Sequence, residues 1–153
     1  MKFTNEETLK MATTFKKQFI ANGLVTHVMK RKSAKNSFCY EIRYRSNRFC
    51  ISAAANGVAA DETVETWWDG FYEKFASVYS DCGEPESTDV TLGGTDGEKY
   101  TFSGTLNGQE YKYIIAACVR GGYVYYLTYT STPDYYENHL DEFDKTVENF
   151  SFR

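Results

Sequence analysis

The sequence predicts an α+β fold, a mainly antiparallel sheet of about seven strands packed by three helices in the order α-βββ-α-ββββ-α. Three observations carry this. Apolar residues alternate with polar ones through Phe38, Tyr40, Ile42 and Tyr44, and again through Phe49, Ile51, Ala53 and Ala55, which is the two-residue period of half-buried strands. Asn107-Gly108 and Gly121-Gly122 interrupt Tyr-rich alternating runs, at positions where tight hairpin turns need residues that tolerate positive φ. Between and after these strands, residues 61–81 and 132–150 repeat their apolar side chains at helical spacing. One domain is expected over residues 1–153.

In chain order, Thr4-Asn5-Glu6-Glu7 places a hydroxyl three residues before a carboxylate, a capping box. A first helix follows over residues 5–22 with Leu9, Ala12, Phe15 and Phe19 on one side, and Asn22-Gly23 supplies its left-handed stop. Leu24 to Arg31 reads as a strand, followed by the basic turn Lys32-Ser33-Ala34-Lys35-Asn36. Closing the next hairpin at Ser46-Asn47 sets Tyr44 opposite Phe49, Ile42 opposite Ile51 and Tyr40 opposite Ala53, so both apolar sets share a face. The same register sets Cys50 opposite Arg43, so a direct bridge from Cys39 to Cys50 is not expected.

Asp61 is the expected cap of a second helix with Val64, Trp67, Trp68, Phe71, Phe75 and Val78 on its apolar face, ending near Asp81-Cys82-Gly83. After the loop Glu84-Pro85-Glu86, a short strand from Thr88 to Leu92 leads into the turn Gly93-Gly94-Thr95-Asp96-Gly97. Gln109 to Val119 has a hairpin partner on each side and is therefore central. Thr132-Pro133-Asp134 has the chemistry of a third helix start, with Tyr136, Leu140, Phe143, Val147 and Phe150 lining one side.

At 153 residues, 42% hydrophobic and 25% charged, the chain can bury a core without a disulfide or metal. The longest apolar run, Ile114 to Val119, is too short to span a bilayer, and Met1-Lys2-Phe3-Thr4 opens onto polar residues, so a soluble chain is expected. Its compartment is cytoplasmic if the chain is complete and extracytoplasmic if an export signal was removed. Cys39, Cys50, Cys82 and Cys118 lack ligand spacing, and His27 and His139 have no carboxylate at metalloprotease spacing, so no metal and no cofactor are expected. Cys118 reads as a core residue, and Cys82 is the candidate reactive thiol. The glycine-rich stretch 93–97 lacks the Lys-Ser/Thr of a phosphate loop and leads into a strand, so it reads as a turn.

The run from Glu98-Lys99-Tyr100-Thr101-Phe102 through Tyr123-Val124-Tyr125-Tyr126-Leu127-Thr128-Tyr129 is a Tyr-rich meander. It ends in Asp134-Tyr135-Tyr136-Glu137, Phe143 and Val147-Glu148-Asn149-Phe150-Ser151-Phe152. In these features the C-terminal part, from Asp96 to Phe152, resembles the family of the extrinsic P subunit of photosystem II (PsbP), whose bacterial members include many lipoproteins. Such proteins usually begin with an extended segment, where residues 5–22 here read as a helix. The order of elements also resembles the type III secretion chaperone-like fold. Both resemblances imply a non-enzymatic module that binds protein, and neither supplies a catalytic motif to carry over.

Charge is unevenly distributed. Residues 1–60 hold 11 Lys and Arg against 3 acids, whereas residues 61–153 hold 6 against 18. The candidate binding residues are the bases that crowd two turns, Lys30, Arg31, Lys32 and Lys35 and then Arg43, Arg45 and Arg48. They either attract the chain's own acidic half or form a patch for an external anion. The leading function is protein binding. The alternatives are a binder of nucleic acid or another polyanion through residues 30–48, with Tyr40, Tyr44 and Phe49 as stacking groups, an acidic mimic of nucleic acid, and a small thiol enzyme.

Overall fold

The computed structural model describes residues 27–33, 37–43 and 49–152, with backbone pairing alone for residues up to 50. The helix expected over residues 5–22, residues 34–36 of the basic turn expected over 32–36 and the turn expected at Ser46-Asn47 lie outside the described residues. Lys32 and Ser33, expected in that basic turn, instead pair with Phe38 and Ser37 as the end of the first described strand. The described elements are β1 (His27–Ser33), β2 (Ser37–Arg43), β3 (Phe49–Gly57), α1 (Val64–Ala76), β4 (Asp81–Cys82), β5 (Glu86–Leu92), β6 (Thr95–Leu106), β7 (Gln109–Arg120), β8 (Tyr123–Ser131), a 3-10 turn (Glu137–His139) and α2 (Leu140–Glu148). The eight strands form one sheet in the order β1-β2-β3-β8-β7-β6, with β4 and β5 both on the far side of β6. Every ladder is antiparallel.

The pairing of β2 with β3 has the expected register, Ile42 opposite Ile51 and Tyr40 opposite Ala53. Cys39 faces Ala54, and Cys50 meets Thr130 across β3 and β8. The β5–β6, β6–β7 and β7–β8 hairpins turn on Gly93-Gly94, Asn107-Gly108 and Gly121-Gly122, each with both residues at positive φ between 51° and 80°. That geometry matches the right-handed twist of the flanking strands. The first of these turns is narrower than the five residues expected, because Thr95 to Gly97 already pair with β5.

Along its outer side β6 is paired end to end, first by β5 and then by β4. Cys82 pairs with Gly104 and Glu86 with Thr101, so the outer chain spends one more residue than β6 between these points. This is a β-bulge, and it coincides with Pro85, a residue tolerated only where no ladder amide is needed. The two-residue strand β4 stands where the second helix was expected to end.

α1 starts later and stops earlier than the sequence suggests. Its cap is Thr63, whose hydroxyl accepts from the Thr66 amide at 3.2 Å while Thr66 Oγ1 accepts from the Thr63 amide at 3.0 Å. Asp61 lies instead in a turn closed by the Glu62 amide on the Ala59 carbonyl at 3.1 Å. The helix ends at Ala76 because the chain swings back to the sheet, the Ser80 amide bonding the Thr105 carbonyl at 3.0 Å. Val78, expected on the apolar face, is left 65% exposed. Tyr79 instead lays its ring over Gly104, where even a Cβ would come within 2.9 Å, and its hydroxyl meets that of Tyr113 at 2.5 Å.

Trp68 anchors this layer, stacked on Tyr100 of β6 with centroids 3.8 Å apart. Phe75 meets Phe102 and Tyr113 edge-on, and Trp67, Phe71 and Tyr72 fill the flanks as half-buried rings. On the opposite face, α2 and its flanks bury Tyr136, Phe143, Val147 and Phe150 against Ile51, Ala53, Ile114, Ala116, Cys118, Leu127 and Tyr129. The third helix was expected from Thr132. Residues 132–139 form i to i+3 turns instead, Tyr135 amide to Thr132 carbonyl and Asn138 amide to Tyr135 carbonyl, both 3.1 Å. The buried Tyr129 hydroxyl donates to the Tyr136 carbonyl at 2.9 Å, which ties this segment to the sheet.

Candidate functional site

The candidate basic residues can be placed where the backbone is described. Lys30, Arg31 and Lys32 are consecutive on β1, the outermost described strand, opposite Tyr40, Cys39 and Phe38. Arg43 ends β2, opposite His27. Lys35, Arg45 and Arg48 lie outside the described residues. Lys32 and Arg43 are five strand positions apart along the pair, about 17 Å at 3.4 Å per residue, so the described bases form a row along the strand rather than one cluster. By the two-residue period, Lys30 and Lys32 share alternate positions with Ala53 and Ala55, and Arg31 shares the other set with Arg43.

The other side of the sheet has the opposite sign. Residues 81–98, which make β4, β5 and the start of β6, hold Asp81, Glu84, Glu86, Asp89, Asp96 and Glu98 and no Lys or Arg. Glu86, Ser87, Thr88, Asp89 and Thr91 of β5 are all exposed. Six strand-to-strand steps separate β1 from β5, about 29 Å at 4.8 Å each, several times the screening length of about 8 Å in physiological salt. The described helices cover the middle of the sheet: α1 lies on β6 and β7 with Trp67 and Phe71 against Tyr126 of β8, and α2 and its flanks reach from β5 to Ile51 and Ala53 of β3.

The thiols and histidines that sequence reasoning weighed are dispersed. Cys118 is fully buried, and that burial pushes its thiol up to about 12 despite the opposing pull of Arg120. Cys82 is half-buried in the α1 layer, 3.3 Å from the Tyr72 hydroxyl, which also donates to the Gly83 carbonyl at 2.6 Å. Burial and the neighbouring thiol hold the Tyr72 hydroxyl well above its ordinary range. His139 stands at the start of α2, in the layer on the other face, with Nδ1 3.4 Å from the Glu142 carboxylate. It forms no pair with Cys82. Among the described residues no three His, Cys, Asp or Glu side chains gather at metal-binding distance, and no helix is long and apolar enough to cross a membrane. A crevice of about 180 Å³ beneath Phe150, lined by Ala53, Leu92, Tyr125 and Leu127 among others, is too thin to seat a water molecule.

Sequence reasoning placed β5 at Thr88 to Leu92, two residues short of its start at Glu86, and missed the two-residue strand β4 and the acidic edge that the two strands form together. A signal existed in the run from Asp81 to Glu98, which carries six acids and no base, but only Val90 and Leu92 of β5 turn toward the core and its start at Glu86-Ser87 has no apolar residue to announce it.

No family model matches the sequence, and no curated protein matches it. Solved structures do match in fold. A protein of unknown function from Pseudomonas aeruginosa, PA94, superposes with a TM-score of 0.63 at 10% identity, over 84% of this chain and 99% of its own. Cyanobacterial PsbP from Synechocystis sp. PCC 6803 superposes with a TM-score of 0.59 at 13% identity, over 80% of this chain and 78% of its own. The likeness in fold thus reaches beyond the C-terminal run in which residues alone suggested it.

Proposed function

We propose that this chain, PsbP-like in fold, is a non-enzymatic module that binds a protein partner along its basic edge. Lys30, Arg31, Lys32 and Arg43, with Lys35, Arg45 and Arg48 nearby in sequence, would meet acidic groups of that partner. One observation carries the reading. The described bases lie on β1 and the end of β2, while the acidic strand β5 lies about 29 Å from β1 on the opposite edge of the sheet. Attraction between these two edges therefore has little reach to neutralise the row. The 26 residues before β1 add four lysines against two acids, so their charge does not cancel it either. The non-enzymatic part is supported by the placement of the nucleophiles, with Cys118 sealed in the core and Cys82 and His139 in different layers.

Individual exposed ion pairs contribute only about 0–1 kcal/mol. Binding of this kind draws on several at once, and complementary fields speed encounter more than they deepen affinity. The same row would also attract phosphates, because Lys30 to Lys32 present consecutive charges along an extended strand. The test compares the wild-type chain with K30E/R31E/K32E on immobilised polyglutamate and on single-stranded DNA, at about 50 and about 200 mM salt. The expected result is retention of the wild type on polyglutamate, its loss in the variant, and equal melting temperatures. Retention on DNA alone, falling steeply with salt, would favour the polyanion reading. A variant that loses stability with no change in binding would return the bases to an internal role.

A further inference from the structure

We infer that a second copy of this chain fits the basic edge, with β1 of one copy laid beside β5 of the next. The inference rests on the binding reading above and names its partner. Both strands have seven residues, and within the described residues each is paired on one side only, β1 by β2 and β5 by β6. An edge strand of this kind offers a row of unpaired amides and carbonyls to another strand. Charge then decides which strand. Two β1 edges would set Lys30, Arg31 and Lys32 against their equivalents, and two β5 edges would oppose Glu86 and Asp89 with Glu84 close by. Like charges placed across a ladder are destabilising and opposite charges are stabilising. Each edge therefore rejects its own kind, which excludes both two-fold arrangements, and accepts the other edge.

The topology adds a direction. Six antiparallel steps lie between β1 and β5, so the two strands run the same way, and a copy set down by translation and twist pairs its β1 parallel to β5. Such a contact uses different surfaces on the two partners and does not close on itself, so copies add head to tail. The bulge at Pro85 ends the usable edge on the β4 side, leaving Glu86 to Leu92 as the pairing segment.

The experiment is sedimentation velocity on the full chain over a concentration series at about 50 and about 200 mM salt, with two charge-reversed variants. K30E/R31E/K32E has two acidic edges and E86K/D89K has two basic ones. The wild type is expected to gain weight-average mass with concentration at low salt and to lose the gain at high salt. Each variant alone is expected to stay monomeric, and their equimolar mixture to recover the association, an outcome that misfolding of either variant would prevent. A wild type that stays monomeric at low salt, or variants that associate as the wild type does, would overturn the inference. If the wild type stays monomeric while its retention on polyglutamate still depends on Lys30 to Lys32, the self-partner falls and the binding module stands. Loss of both removes both.

Discussion

Replacing Phe143 with alanine tests the layer that α2 adds to the sheet. The ring is fully buried and lies 5.7 Å from that of Tyr129, which is itself sealed and bonded to the Tyr136 carbonyl. Returning a buried Phe side chain to water costs about 2–3 kcal/mol. If a void of about 80 Å³ persists, the cavity adds about 2 kcal/mol at about 24 cal/mol per Å³, for a total of about 4 kcal/mol. With a urea slope of about 2 kcal/mol/M for a chain of this size, the unfolding midpoint should fall by about 2 M. The assay is equilibrium urea unfolding followed by tyrosine and tryptophan fluorescence, with Val78→Ala as a control at a 65% exposed site, expected to change stability by less than about 0.5 kcal/mol. A loss below about 1 kcal/mol for Phe143→Ala at unchanged slope would refute the burial of this ring.

Gly97→Ala should destabilise by about 3 kcal/mol or more, since the added Cβ would lie 2.0 Å from the Ala117 carbonyl oxygen on the paired strand and the backbone must part to admit it; a variant as stable as the wild type would contradict this close approach. Alkaline pH should weaken the fold, because burial raises the Tyr100 and Tyr129 hydroxyls to about 12 in the folded state, against about 10 when unfolded. For hydroxyls raised in this direction the stabilisation is intact below about pH 10 and is lost as pH climbs toward about 12, so urea midpoints that hold constant through pH 11.5 would count against it. Cys118, whose thiol burial lifts to about 12, should resist a thiol reagent at neutral pH until the chain unfolds, and labelling of the native protein at that residue would show the core to be open.

Much of this architecture could be read from local chemistry. Period-two alternation gave the β2–β3 register to the residue, and Asn107-Gly108 and Gly121-Gly122 marked turns that do carry positive φ. The errors fall where two structures share one vocabulary. Asp61 and Thr132-Pro133-Asp134 have the residues of helix caps, but those residues also suit β-turns, and here tertiary contacts selected the turns. Val78 continued the helical stripe of α1, but the gap over Gly104 drew Tyr79 out of the helix and left Val78 in water. The candidate site was half legible. Its residues and the lopsided charge were plain, but their assignment to opposite edges depends on β3 pairing with β8, a neighbour remote in sequence.

That remote pairing also orders events during folding. β5 to β8 are joined by two-residue turns, so each of their ladders closes a short loop and costs little chain entropy. The β3–β8 ladder brings Phe49 to Ser131 and Gly57 to Tyr123 across α1 and four strands. It cannot be rewarded until that long loop closes, and contacts of this kind slow a chain's arrival at the native state. The acidic meander should therefore protect its amides before the basic hairpin joins it. During that interval the edge of β8 stands open, and a nascent chain is more exposed to mispairing there than the finished protein is at either of its charged borders.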